Sequence, residues 1–331
     1  MHRKMEIYSL FLCLFTVQYC KSQTLNDLKT LWNGLPDPVL YLPLSKQFGL
    51  NDAGPNGYAG KYSSTRVPFV NGPGGMAETA IETGTWADQQ FVTIGNHAPL
   101  KFESSGGTSW TISLFSNMAM VGPIFEFDWI NDITTTERAH LWMHSSDDQI
   151  WFNPMGPPGI AAACPLRDTW NYVAVRYNKT DDTFRTYCDT TLNPPGSGEP
   201  QATQKIFLGA RDASSQYGCD GCKYACFAVY REVLSQSEMD NVRQMCDLWN
   251  QVVTCPAQCE EDACWPDLSQ TNGYRCEKCN TGWVGTDCAT RKFDKFQSLL
   301  KFKMNNIFFY SNLFFALSKW RNLFSTRHLQ L

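Results

Sequence analysis

The chain has 331 residues, of which 43% are hydrophobic and 18% are charged, so it can bury a sizeable core and long disorder is not expected. Its net charge of -4 disfavours a nucleic-acid-binding protein, which is usually basic. The charge is uneven, with +2 on residues 1–22, +7 on residues 289–331 and -13 on the body between them. An acidic body is typical of a soluble protein, and it also attracts cations, basic polymers or mineral surfaces.

Residues 1–22 are predicted to be a secretory signal peptide. Two basic residues precede the apolar run 10–15, and Cys20 and Ser22 fit the -3 and -1 positions for cleavage before Gln23. Cleavage leaves twelve of the 14 cysteines, an even number that fits pairing in an oxidising compartment. The sequence therefore predicts a secreted, extracellular protein that begins with a short N-terminal segment, 23–37.

The cysteines divide the rest of the chain. None lies between residues 23 and 163, six lie in 164–246, and six lie in 255–288. This distribution predicts a large domain over 38–247 and a small disulfide-rich module over 255–288, joined by residues 247–254.

The basic, apolar tail 289–331 has no cysteine, and we predict that it is not a folded domain. No apolar run in the chain reaches the roughly 18 residues of a confident membrane span. The run 307–317 in the tail fits an interfacial amphipathic helix as one alternative, and a non-native chain end as another.

The small module has the spacing Cys255-x3-Cys259-x4-Cys264-x11-Cys276-x2-Cys279-x8-Cys288. A module of about 35 residues cannot fold on hydrophobic burial alone, so disulfides are expected to supply the constraint. Its second half, with Tyr274 before a cysteine and the glycines of 279–288, resembles an EGF-like domain. The resemblance implies the pairs Cys255–Cys264, Cys259–Cys276 and Cys279–Cys288. Two residues separate the fourth and fifth cysteines, where that family usually has one.

Neither a zinc site nor a calcium site is predicted in this module. A Cys-x2-Cys pair is also the spacing of a zinc site, but the chain is predicted to be secreted and the module has no histidine. EGF-like domains that bind calcium carry acidic residues before the first cysteine, whereas residues 250–254 here are uncharged.

The large domain is predicted to be all-β. Its short apolar stretches alternate and are separated by turn residues, which is typical of half-buried strands in an antiparallel sandwich. In Trp110–Phe115, for example, Trp110 and Ile112 share one face, and Thr111 and Ser113 share the other. The predicted strands are Val39–Leu44, Phe91–Ile94, Trp110–Phe115, Ile124–Trp129, Ala139–Met143, Gln149–Phe152, Tyr172–Tyr177, Phe184–Cys188, Lys205–Leu208 and Ala225–Tyr230.

One helix is predicted near the end of the large domain. Ser235 and Glu238 form a capping-box pattern ahead of Met239, Val242 and Met245. This strand-to-helix ending, with the stretches 110–115 and 170–189, resembles the laminin G-like and concanavalin-like lectin and glucanase sandwiches. The resemblance implies a laminin G-like jelly roll over 38–247. That fold hosts lectins, adhesion modules and glycanases, so it does not determine the function.

The resemblance to this fold implies where catalytic carboxylates would lie, because its glucanases carry both on one strand in a Glu-x-Asp-x-(x)-Glu pattern. A retaining glycosidase needs two carboxylates about 5–5.5 Å apart. Glu126 and Asp128 match the first half of the pattern, but Ile130 or Asn131 stands where the second glutamate belongs. The sequence therefore predicts no enzyme and no catalytic residue, and polar positions on an alternating strand explain the pair.

The large domain has three histidines: His97, His140 and His144. The i, i+4 spacing of His140 and His144 suits a metal site on a helix. In a strand, the same spacing puts the two residues on one face about 13 Å apart, too far to share a metal. The surrounding sequence indicates a strand, so we expect no metal there.

Calcium is the candidate cofactor. Asp147 and Asp148 lie in an oxygen-rich turn between two apolar strands, and calcium takes six to eight oxygen ligands. Laminin G-like domains often hold a calcium ion at the rim. The two aspartates are the predicted ligands, with an ordinary solvated turn as the alternative.

Six further cysteines are predicted to form three bridges: Cys164, Cys188, Cys219, Cys222, Cys226 and Cys246. Six cysteines allow 15 pairings. The pairs that we expect are Cys164–Cys188 and one from the 219–226 cluster to Cys246.

Asn178 begins an Asn-Lys-Thr sequon in a predicted turn and is the candidate glycosylation site.

Together these features predict a secreted extracellular matrix or adhesion glycoprotein that binds its partner without catalysis. The partner is a matrix protein, a glycan or a mineral surface, the last with a role in a mineralised tissue. The alternatives are a calcium-dependent glycan-binding lectin and, behind it, a glycan hydrolase of the same sandwich fold.

Overall fold

The computed structural model describes residues 25–85, 87–88, 90–95, 108–129, 139–144, 149–153, 159–197, 203–210 and 218–292, with the backbone alone at 128–129 and 203–204. Two α-helices are described, α1 over 25–33 and α2 over Gln236–Val252, together with a short 3-10 helix over Pro73–Gly75. The strands are β1 Leu40–Leu42, β2 Lys61–Tyr62, β3 Phe69–Val70, β4 Ala80–Glu82, β5 Val92–Gly95, β6 Trp110–Asn117, β7 Gly122–Trp129, β8 His140–His144, β9 Gln149–Asn153, β10 Ile160–Ala163, β11 Asn171–Asn178, β12 Thr183–Cys188, β13 Thr191–Leu192, β14 Gly196–Ser197, β15 Thr203–Leu208, β16 Lys223–Tyr230, β17 Cys264–Pro266, β18 Tyr274–Cys276, β19 Trp283–Val284 and β20 Thr290–Arg291.

Two antiparallel sheets form the large domain. A nine-stranded sheet has the order β13-β12-β11-β6-β16-β4-β3, with β1 added to β16 and β14 to β12. A seven-stranded sheet has the order β10-β9-β8-β7-β15-β5-β2. Each of the predicted strands coincides with an observed strand, and the predicted all-β antiparallel sandwich is confirmed.

The core between the sheets contains a cluster of aromatic rings. Trp110 of β6 packs against the rings of Phe127, Phe152 and Phe184, with centroids 5.6, 6.3 and 5.9 Å apart. These rings come from four strands in both sheets, so a single tryptophan joins the two layers. Aromatic pairs of this kind contribute about 0.5–1.5 kcal/mol each beyond their buried area.

The outer face of the nine-stranded sheet is covered by helices. The predicted capping box is confirmed, because Ser235 Oγ accepts from the Glu238 amide at 3.2 Å and Glu238 Oε2 accepts from the Ser235 amide at 2.6 Å. The apolar side of α2 is fully buried, and its Trp249 packs against Trp32 of α1, with ring centroids 6.1 Å apart. The N-terminal segment 23–37 thus contains a helix that the sequence analysis did not predict.

The small module packs on this helical layer. Helix α2 continues through most of the predicted joint 247–254 and ends at Val252. Gln47 of the sandwich donates from Nε2 to the Val253 carbonyl at 2.8 Å and accepts from the Cys255 amide at 3.2 Å. From α1, Lys29 Nζ donates to the Gln270 carbonyl at 3.2 Å. The module is therefore held by the sandwich and by α1, as well as by its connection to α2.

Every cysteine in the described residues is paired. The pairs are Cys164–Cys188, Cys219–Cys222, Cys226–Cys246, Cys255–Cys264, Cys259–Cys276 and Cys279–Cys288. The last three are the pairs that the EGF-like resemblance implies. Within the large domain, Cys226 is the member of the cluster that reaches Cys246, so this bridge ties α2 to the central strand β16.

Buried hydroxyl groups lie between the nine-stranded sheet and α2. Tyr41 and Tyr230 are fully buried, and neither hydroxyl has a hydrogen-bond partner. Burial raises the pKa of both hydroxyls well above the ordinary value. Tyr187 at the same interface differs, because its hydroxyl donates to Asp240 Oδ1 at 2.5 Å. An unpaired buried hydroxyl costs free energy, whereas a paired one contributes to stability.

We expect Tyr230→Phe to leave the free energy of unfolding unchanged or to raise it by up to about 1 kcal/mol, because the hydroxyl that is removed has no partner. The matched variant Tyr187→Phe should lower it by about 1.5 kcal/mol, since it strands the Asp240 carboxylate. Urea unfolding with intact disulfides measures both values. Equal losses in the two variants would show that the Tyr230 hydroxyl is paired in solution.

Gly273 is a close-packing point between the module, α1 and the end of α2. Its φ of +79° is left-handed, and a Cβ there would lie 2.9 Å from Val253 Cγ2 and 3.2 Å from Leu25 Cδ1. Gly282 also has a left-handed φ, +92°, but a Cβ there would meet nothing within 4 Å.

Gly273→Ala should therefore lower the free energy of unfolding by about 2–4 kcal/mol, from backbone strain and overpacking together. Gly282→Ala should lower the free energy of unfolding by about 1–2 kcal/mol, because it adds backbone strain without overpacking. Thermal unfolding of the two variants separates these terms. A Gly273→Ala protein no less stable than Gly282→Ala would contradict the observed docking of the module.

Candidate functional site

The outer face of the seven-stranded sheet carries the most unusual exposed side chain of the described residues. Core residues on its strands alternate with residues that point away from the other sheet. On β9, Ile150 and Phe152 are fully buried, whereas Trp151 between them is 40% exposed. Strand alternation thus places a tryptophan where a polar residue is the usual choice.

Strand register aligns Trp151 with a second tryptophan and an alanine. Trp142 of β8 is directly opposite Trp151, and Ala161 of β10 is its neighbour on the other side. Ala161 and Ala163 are exposed and carry only a methyl group, so β10 places no large side chain beside Trp151. The result is a shallow platform with one aromatic ring raised above small side chains.

Two histidines support the indole rings of this platform. The ring of His144 lies 5.4 Å from that of Trp151, at an interplanar angle of 37°. The ring of His140 lies 5.8 Å from that of Trp142 in an edge-to-face arrangement. Each indole thus packs beside the imidazole of a β8 histidine. We define Trp142, Trp151, His140 and His144 as the aromatic face.

Amide groups border the aromatic face. Gln149 is paired with His144 across the strands, and Asn153 is paired with His140, and both are half-buried. Amide side chains donate and accept hydrogen bonds. The face therefore combines a flat apolar ring, whose π-face attracts polarised C–H groups, with groups that can bond hydroxyls.

The two carboxylates that resemble half of a glucanase site lie on the neighbouring strand. Glu126 is paired with His140 on one side and with Phe207 on the other. Its side chain is fully buried, although it is on the outer side of the sheet. Asp128 has a described backbone position in β7, opposite Lys205. A general acid must contact its substrate, so the burial of Glu126 argues against this role.

The histidines are where the strand interpretation puts them. His140 and His144 are both on β8, with His140 half-buried and His144 exposed. Among the described residues, the one group of three metal-ligating atoms consists of Cys259, Cys276 and Cys288, which are all in disulfides. His97 lies outside the described residues.

The predicted calcium ligands, Asp147 and Asp148, also lie outside the described residues, so calcium binding stays a prediction. They belong to the connection between His144 of β8 and Gln149 of β9, which are paired with each other. That connection therefore begins and ends at the aromatic face.

The glycosylation candidate, Asn178, is the last residue of β11. Its Oδ1 accepts from the Thr180 amide at 3.0 Å, and Lys179 and Thr180 are exposed. The sequon thus lies in an accessible turn, on the nine-stranded sheet and away from the aromatic face. Its modification stays a prediction.

Sequence reasoning did not single out Trp142 or Trp151. The signal was present in the alternation of His140-Leu-Trp-Met-His and Gln149-Ile-Trp-Phe-Asn. On each strand, the tryptophan is on the same face as the polar residues. A large aromatic residue at a polar position of an amphipathic strand is the pattern that identifies this face.

In the part of the chain that the structure describes, no helix combines the length and the apolar character needed to cross a bilayer.

No family model and no curated protein matches the sequence. The fold is similar to solved structures of the botulinum neurotoxin serotype D binding domain (12% identity, TM-score 0.44, covering 63% of this chain and 50% of that one) and the serotype G binding domain (10%, 0.48, 63% and 51%). It is also similar to the binding domain of Paraclostridial Mosquitocidal Protein 1 (11%, 0.45, 62% and 51%).

The chain spans about half the length of these structures. The laminin G-like and EGF-like resemblances stay predictions.

Proposed function

We propose that the chain is a secreted extracellular matrix or adhesion protein that binds a glycan, without catalysis, through the aromatic face of its seven-stranded sheet. Secretion is supported by the predicted signal peptide and by six disulfides, which persist in oxidising compartments. The exposure of Trp151 is the observation that carries the choice of ligand.

An exposed tryptophan whose ring packs beside a histidine suits a sugar ring. One side of a pyranose presents C–H groups that pack flat on an indole, and its edge presents hydroxyls. Gln149 and Asn153 border Trp151 on the same strand and can bond those hydroxyls. The amides and histidines around Trp151 favour a ligand that carries hydroxyls over an apolar protein surface.

We predict that Trp151→Ala weakens glycan binding about tenfold, which corresponds to the loss of one aromatic stacking contact. Trp151→Phe should retain part of the affinity. The measurement is a binding array of glycans, glycosaminoglycans and matrix proteins probed with the full chain secreted from eukaryotic cells. Met120 is 42% exposed, so Met120→Ala is a matched control that removes an exposed apolar side chain elsewhere.

Binding that survives Trp151→Ala, or that falls equally in Met120→Ala, would exclude the aromatic face as the site. Binding to matrix proteins or mineral particles with no glycan signal would favour the other two partner classes that the sequence predicts.

The calcium-dependent form of this proposal depends on Asp147 and Asp148. A chelator should abolish glycan binding, and Asp147→Ala or Asp148→Ala should have the same effect with Trp151 intact, because a rim ion needs its carboxylate ligands. Binding that is unchanged by chelator would leave the aromatic face as a calcium-independent site. The array with and without chelator distinguishes these results.

A further inference from the structure

A cavity of about 620 Å³ lies between α2 and the neighbouring ends of β6, β11 and β12. Helix α2 lines it with Arg243, Asp247 and Gln251, which are spaced four residues apart and therefore share one side of the helix. The 3-10 helix over Pro73–Gly75 contributes to the opposite wall. The cavity is on the helical side of the nine-stranded sheet, so it is separate from the aromatic face.

Part of the wall is aromatic. Trp170 directly precedes β11 and is half-buried, and Phe115 of β6 is 6% exposed. The ring of Phe115 packs on that of Tyr172, with centroids 5.2 Å apart. Trp170 keeps more of its surface accessible, so its indole offers a flat apolar contact whose π-face attracts polarised C–H groups.

Asp247 brings an accessible carboxylate without a partner into this wall. It is half-buried, and its oxygens are not among the fully buried atoms of the described residues. Burial raises the pKa of its carboxyl above the ordinary value, and the nearby charge of Arg243 opposes that effect. A carboxylate that loses hydration without gaining a hydrogen bond is stabilised by a ligand group that donates to it.

Arg243 brings donors to the same cavity. Its Nη1 donates to the Asp189 carbonyl at 3.4 Å, which is its one hydrogen bond among the described residues. A guanidinium has five N–H donors, so most of them are left for a ligand. Arg243 and Asp247 lie one turn apart on α2, yet neither belongs to an ion pair of the described residues. The cavity thus presents a cation and an anion that are not paired with each other.

This mixture of charges indicates a neutral ligand that both donates and accepts hydrogen bonds. An anion would face the carboxylates of Asp189 and Asp247, and a cation would face Arg243. A hydroxyl group can donate to a carboxylate or accept from a guanidinium, so a ligand with several hydroxyls suits both. Thr190 and Gln251 add exposed polar groups to the wall. A free amino acid has two charged groups at one end, so it would use fewer of these partners.

We propose that this cavity is a second glycan site, which holds a sugar residue of a neutral oligosaccharide. The C–H side of the pyranose packs on Trp170, one hydroxyl donates to Asp247, and another accepts from Arg243. The cavity volume is within the range of about 300–1,000 Å³ that is usual for small-molecule sites. The proposal goes beyond the proposed function, because this site does not use the aromatic face.

The test probes an array of neutral oligosaccharides with the full chain secreted from eukaryotic cells, followed by calorimetric titration of those that bind. At least one should keep its affinity in Trp151→Ala. Its dissociation constant should rise about tenfold in Asp247→Asn and in Arg243→Gln, because each variant removes a charge-assisted hydrogen bond. Asp181 is exposed in the turn at the other end of β11 and β12, so Asp181→Asn is the matched control and should change the value less than twofold.

Three results would overturn the proposal. One is an array in which no oligosaccharide responds to Asp247→Asn, and another is equal weakening by Asp247→Asn and Asp181→Asn. The third is displacement of the oligosaccharide by an equal concentration of free phenylalanine, which would indicate a zwitterionic ligand. Asp247 has no ion pair to lose, so the unfolding midpoint of Asp247→Asn should match that of the parent chain. A glycan that responds to Trp151→Ala but not to Asp247→Asn would belong to the aromatic face, so the two sites are tested separately.

Discussion

The architecture depends on burying both faces of the central strands of the nine-stranded sheet. Strands β6, β11 and β16 are buried along most of their length on either side. One face packs on the seven-stranded sheet, and the other packs on α2, α1 and the small module. A sheet placed in the middle in this way needs a cover on each side. The helices and the module supply one cover, and the seven-stranded sheet supplies the other.

This constraint explains what the sequence predicts well and where it fails. The strands are visible because buried apolar residues alternate with others, as on β6. The same alternation places Thr111 and Ser113 on a face that would be solvent in a two-layer sandwich, yet both are fully buried. Thr111 Oγ1 donates to the Glu232 carbonyl at 2.7 Å and accepts from the Leu234 amide at 3.0 Å. Periodicity shows which residues share a face, but it does not show what covers that face.

The candidate site also shows that residue type and periodicity do not reveal which side chains are accessible. Glu126 and His140 attract attention by residue type, and the strand register does place them next to each other. Burial then separates them in role, because Glu126 is inaccessible and the exposed group is Trp151. Tryptophan is more often highly buried than exposed, so its type alone predicts the core. Its exposure depends on strand pairing, because the small residues of β10 lie beside it at the edge of the sheet.

The aromatic face and the helical cover lie on opposite layers of one connected unit. The aromatic face is on the outside of the seven-stranded sheet, whereas the helices and the small module pack on the nine-stranded sheet. The Cys226–Cys246 bridge joins the central strand to α2, and Gln47 joins the sandwich to the module. The face that is proposed to bind a glycan therefore lies on a sheet that the helices and the small module do not cover.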